Sequence, residues 1–72
     1  MKELVEGEYY EKVFRGFRLY AKGKEIGGLV FPEIVRVVVE DEDQVTAFLG
    51  EVATSDPYFK TFDDPEGWEI SE

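Results

Sequence analysis

Hydrophobic and polar positions follow their clearest pattern between Glu33 and Thr54, where EIVRVVVE runs directly into DEDQVTAFLGEVAT. Ile34, Val35, Val37, Val38 and Val39 form a β-branched run that only Arg36 interrupts. Strict alternation puts Val35, Val37 and Val39 on one face and Ile34, Arg36 and Val38 on the other. A strand apolar on both faces is expected in the middle of a sheet. The pattern then switches to a helical period over about Asp41–Thr54. Asp41 is the N-cap, Gln44 completes a capping-box spacing, and Glu42 and Asp43 fill the first turn, where the helix dipole favours acids. Val45, Phe48, Leu49 and Val52 form the core-facing stripe, and Asp56-Pro57 stops the helix.

Over residues 9–22 two signals disagree. At 100° per residue Tyr9, Tyr10, Val13, Phe14, Phe17, Tyr20 and Ala21 share one arc, charged residues fill the opposite arc, and only Leu19 is out of place. Residue type points the other way. Aromatics and a valine suit a pleated surface, Gly16 weakens a helix, and LYAKGKEIGGLVF reads as a hairpin with Lys22-Gly23-Lys24 at its tip. Both readings stay open. Glu25–Phe31 is expected as a strand with a glycine bulge at Gly27-Gly28, and Pro32-Glu33 as a tight connection to the valine-rich strand. Beyond the helix, YFKTF reads as a strand, Asp63 to Gly67 as a turn, and Trp68-Glu69-Ile70 as a short terminal strand.

The predicted class is therefore α+β in a single domain, residues 1–72. A small twisted antiparallel sheet carries the Asp41–Thr54 helix on one face, in the order β-β-β-α-β with or without a final strand. If residues 9–22 are helical the order becomes β-α-β-β-α-β, the ferredoxin-like split.

Composition removes several kinds of chemistry. The 72 residues contain no cysteine and no histidine, which excludes disulfides, thiolate or imidazole zinc sites and Ser-His-Asp triads. No apolar run approaches the ~18 residues of a membrane span, and the amino terminus lacks the basic-then-apolar form of a signal peptide. A cytoplasmic, soluble protein without cofactor or metal is expected. Eleven aromatic residues provide a compact core, so disorder is not expected despite the charge of −9.

Two local runs resemble known families. VRVVVEDEDQVTAFLGEV resembles the strand–helix unit of acylphosphatase-like domains, and Arg18 in GFR matches their phosphate-binding arginine. The glycine-rich anion loop is missing, however, and the chain has no asparagine for the chemistry. DPEGWEI (Asp64 to Ile70) is similar to the closing strand of glyoxalase-type domains, over seven residues only. Neither run defines a family.

Charge placement is the most informative feature. Residues 1–39 hold six acids and seven bases, a net of +1, whereas residues 40–72 hold eleven acids and one base, Lys60, a net of −10. Glu40, Asp41, Glu42, Asp43, Asp63, Asp64 and Glu66 are the candidate partner-binding residues. Their spacing is not that of a calcium loop, and capping and turn chemistry account for it without a metal. Lys12, Arg15, Arg18, Lys22 and Lys24 form a basic stripe diluted by Glu8, Glu11 and Glu25. The negative field of the whole chain opposes direct nucleic-acid binding. The expected function is thus a non-enzymatic, acidic protein-binding module. Its sharpest form is a nucleic-acid-mimicking antagonist of phage or mobile-element type that docks on a basic partner, such as a nucleic-acid-binding protein. The second reading is a structural or regulatory subunit, a homodimer included, that associates through aromatics such as Tyr9, Tyr10, Phe59 and Trp68. A third is a ferredoxin-like small-molecule sensor.

Overall fold

The computed structural model describes residues 3–56, 60–62 and 66–71. Among these residues four antiparallel strands form one sheet in the order β3-β2-β1-β4, with one α-helix after the third strand. The strands are β1 (Tyr9–Phe14), β2 (Phe17–Ile26), β3 (Leu29–Val39) and β4 (Glu69–Ile70), and the helix α1 spans Glu42–Ser55. This is the β-β-β-α-β order. The ferredoxin-like alternative does not form, because residues 9–22 are two strands and the turn between them.

The helical period over residues 9–22 arises from a hairpin. Phe14 pairs with Phe17 across the two-residue turn Arg15-Gly16, and Gly16 sits at φ +85. Tyr10, Lys12 and Phe14 face the same side as Ala21, Leu19 and Phe17, their cross-strand partners. The inward residues 10, 14, 17 and 21 are spaced by four, three and four, which imitates a helix stripe. Leu19, the residue that breaks that stripe, is buried at 5% exposure. The second hairpin turns at Gly27-Gly28 and not at Gly23. Both glycines have positive φ, +60 and +87, and Ile26 pairs with Leu29 across them. A two-residue turn with both central residues at positive φ is the type that matches strand twist. Pro32 and Glu33 lie inside β3 and form no separate connection.

The core lies between one sheet face and α1. Leu4, Tyr10, Phe17, Leu19, Ala21 and Trp68 are buried, and Phe14, Val30, Val45, Phe48 and Phe62 pack against them. Phe14 is the hub, stacked on Phe17 at 4.9 Å and tilted against Phe48 and Phe62, each at 5.5 Å. Tyr58 and Phe59 of the expected YFKTF strand lie outside the described residues; Lys60–Phe62 is a 3-10 turn. Glu69–Ile70 pairs back onto Glu11 and Tyr10, as expected for the terminal strand.

Helix α1 starts as its sequence dictates. Asp41 Oδ1 accepts the N–H groups of Asp43 and Gln44 at 3.1 and 3.3 Å. The Asp41 N–H that a capping box would bind to Gln44 goes instead to the Gly16 carbonyl, at 2.9 Å, and so ties the helix start to the first hairpin turn. Asp41→Ala is expected to cost about 1 kcal/mol of stability, read as a shift in the urea midpoint at unchanged slope.

The valine-rich strand is at the edge of the sheet. β2 pairs with β3 on one side and β1 on the other, β1 then pairs with β4, and the far side of β3 has no strand among the described residues. The alternation within it also differs from the sequence pattern. A bulge opposite Tyr20 and Ala21 leaves Val35 without a ladder partner, so Ile34 shares a face with Val37 and Val39 while Arg36 and Val38 share the other.

Candidate functional site

Glu40, Asp41, Glu42 and Asp43 line the exposed junction between β3 and α1. Their roles differ. Glu40 meets Arg18, with both oxygens 3.4 Å from the guanidinium. That hydrogen bond, then the Glu40 charge, and a smaller contribution from Tyr20 hold the Arg18 pKa above its ordinary value. Asp41 is occupied by capping. Glu42 and Asp43 have no side-chain partner among the described residues, so their carboxylates extend into solvent over the positive end of the helix dipole.

Glu66, a further predicted site residue, does not join this cluster. Glu66 precedes β4, at the sheet edge opposite β3, and its carbonyl oxygen accepts from Lys12 Nζ at 2.8 Å. Three strand spacings, ~14 Å, separate the two edges. Asp63 and Asp64 lie outside the described residues. No group of three or more acidic side chains among the described residues is close enough to hold a metal.

The basic residues are also divided. Lys12 lies on the helix side, over the rings of Phe14 and Trp68 at 5.4 and 5.8 Å. Arg15, in the hairpin turn, pairs with Glu51 of α1 and covers Phe48. Arg18, Lys22, Lys24 and Arg36 share the face away from the core, since their ladder neighbours alternate with the buried Phe17, Leu19 and Ala21. There Lys24 pairs with Glu33 at 3.0 Å, Lys22 lies over Tyr9, and Arg36 stacks on Tyr20 at 4.4 Å. A shallow depression on this face is lined by Glu11, Tyr20, Val35, Arg36, Ile70 and Ser71. Its described lining holds one acid, Glu11, and one base, Arg36.

A feature that composition did not reveal is the concentration of exposed apolar residues. Among the described residues, seven of the twelve large exposed hydrophobic ones, Ile26, Leu29, Phe31, Ile34, Val35, Val37 and Val39, belong to β3 and the end of β2 that pairs with it. The aromatic surface expected from Tyr9, Tyr10, Phe59 and Trp68 is not formed by Tyr10 and Trp68, which are 2% and 1% exposed. Tyr9 is on the surface, and Phe59 lies outside the described residues.

No protein-family model, no curated protein and no solved structure matches this chain. None of the described helices is long and apolar enough to cross a membrane.

Proposed function

We propose that this protein is a non-enzymatic module that binds a partner protein through its acidic carboxy-terminal half. Glu42 and Asp43 at the start of α1 are the first contacts with a basic surface. The observation that carries the reading is the charge division, +1 over residues 1–39 against −10 over residues 40–72. Rigid presentation supports it, because Asp41 capping and its bond to Gly16 hold the helix start against the hairpin. An array of fixed carboxylates offers a nucleic-acid-binding groove the charge of a phosphate backbone, with association that is fast and weakened by salt. The ferredoxin-like premise of a small-molecule sensor is gone with the strand pair at residues 9–26.

The test is capture of partners from host lysate at low and high salt by the wild type and by E42K/D43K. The expected result is a partner with a basic groove, retained at low salt, released at high salt, displaced by DNA or RNA, and at least about ten-fold weaker with the double variant. Retention that ignores salt and charge reversal, or a partner without a basic groove, overturns the reading. A structural-subunit reading is favoured by a different observation, the apolar β3 edge.

A further inference from the structure

Sheet edges in monomeric proteins are guarded by prolines, charges, bulges or short strands, because an open ladder templates further pairing. β4, at one edge, has two residues. β3, at the other, has eleven. Its first half is guarded. The Gly23 N–H and C=O bond Glu8 and Gly7, so they point toward β1 and away from β3. Pro32, directly opposite Gly23, therefore turns its own N and C=O to the free edge, where a proline offers no donor. Glu33 and the Val35 bulge follow. Among the described residues the second half has no such guard. By the same alternation Val37 and Val39, opposite Leu19 and Phe17, turn their backbone N–H and C=O outward, and their side chains are 53% and 51% exposed.

This unguarded stretch is complementary to itself. Arg36 and Glu40 are spaced symmetrically about Val38, and both lie on the face away from the core, Arg36 on Tyr20 and Glu40 on Arg18. Arg36 meets no carboxylate among the described residues. In addition β3 carries one acid and one base, so it is a neutral approach for two chains that each bear −9.

We propose that a second copy of this chain pairs antiparallel with the free edge of β3, about a two-fold axis through Val38. Val37 of each copy then exchanges backbone hydrogen bonds with Val39 of the other, and Arg36 of each faces Glu40 of the other. The result is a continuous eight-stranded sheet with the four valines side by side on the helix face. Parallel pairing would bring the two Glu40–Asp43 clusters together, whereas the antiparallel arrangement keeps them at opposite ends. The proposal does not depend on the acidic partner reading, which rests on Glu42 and Asp43.

Sedimentation velocity over a range of concentrations tests it on the full chain. The wild type is expected to move from monomer toward dimer as concentration rises, and the Val37 and Val39 amides to exchange more slowly as it does. R36E and E40R each turn two attractive contacts into two repulsive ones, so each alone is expected to dissociate about ten-fold or more readily. An equimolar mixture is expected to re-associate, because every charge at position 36 then faces the opposite charge at position 40. Val39→Pro removes a free-edge donor but no bond to β2, and is expected to keep the far-ultraviolet spectrum and lose the dimer. A wild type that stays monomeric, a mixture of folded variants that does not re-associate, or a dimer that leaves the Val37 and Val39 amides unprotected overturns the proposal.

Discussion

Trp68→Ala is expected to remove roughly half of the folding stability of the chain. Trp68 is the sole tryptophan and the least exposed large side chain described, at 1%. It packs with Leu4, Tyr10, Phe17, Leu19 and Ala21, and Lys12 lies over its ring at 5.8 Å. Truncation of a buried tryptophan to alanine costs about 3–5 kcal/mol. A 72-residue domain holds roughly 4–11 kcal/mol in total, and this one has no disulfide to fall back on. The residue also links distant parts of the chain. It precedes β4, whose ladder with β1 has only two residue pairs, so the ring and not the strand anchors the carboxy terminus. Trp68→Phe, which keeps an aromatic body, is expected to fold with a lowered midpoint. Circular dichroism in urea checks both, and the wild-type tryptophan emission, blue-shifted by burial, follows the same transition. An alanine variant within about 1 kcal/mol of wild type would contradict the packing described here.

The sequence patterns that proved reliable were the local ones. Asp41, the acids after it and the Val45, Phe48, Leu49, Val52 stripe define α1 because capping and amphipathic spacing are settled within a few residues of each other, although Leu49, at the rim of the stripe, is 40% exposed. The terminal strand at Glu69–Ile70 was legible for a similar reason, since turn chemistry precedes an apolar residue there. What was not legible depended on which strands became neighbours. The valine run looked central because it is apolar on both faces, yet β2 pairs β1 and β1 pairs β4, which leaves β3 outside. Its alternation was shifted by the Val35 bulge, which no residue type announces. The acidic surface was legible as charge but not as geometry. Glu40 and Asp41 serve Arg18 and the helix start, and Glu66 lies at the opposite edge of the sheet.

Gly23 carries the second large effect, and its role reverses the sequence reading of a hairpin tip. It lies within β2, opposite Pro32 on one side, with the amino-terminal segment crossing it on the other. Its N–H donates to the Glu8 carbonyl at 2.9 Å and its carbonyl accepts from Gly7 at 3.0 Å. A Cβ at this position would stand 2.2 Å from the Val5 carbonyl oxygen and 2.9 Å from the Val5 carbonyl carbon, closer than any side chain tolerates. Backbone cannot rotate away as a flexible side chain does, so Gly23→Ala must displace residues 4–8. The displacement takes with it the burial of Leu4 and the bond from the Val5 N–H to Tyr10 Oη at 2.8 Å. Burial of one leucine is worth about 1.5–3 kcal/mol, and the lost hydrogen bonds add about 1 kcal/mol each. Gly23→Ala is therefore expected to destabilise by about 3 kcal/mol, with faster amide exchange at Val5 and Gly7 while the α1 amides follow global unfolding. Deletion of residues 1–5 separates this mechanism from a general intolerance of side chains in β2. The deletion removes the Val5 carbonyl, so adding Gly23→Ala to the shortened chain is expected to cost less than about 0.5 kcal/mol, the range of substitutions that meet no such obstacle. Equal costs in the long and short chains would mean that the crossing segment is not what the glycine accommodates.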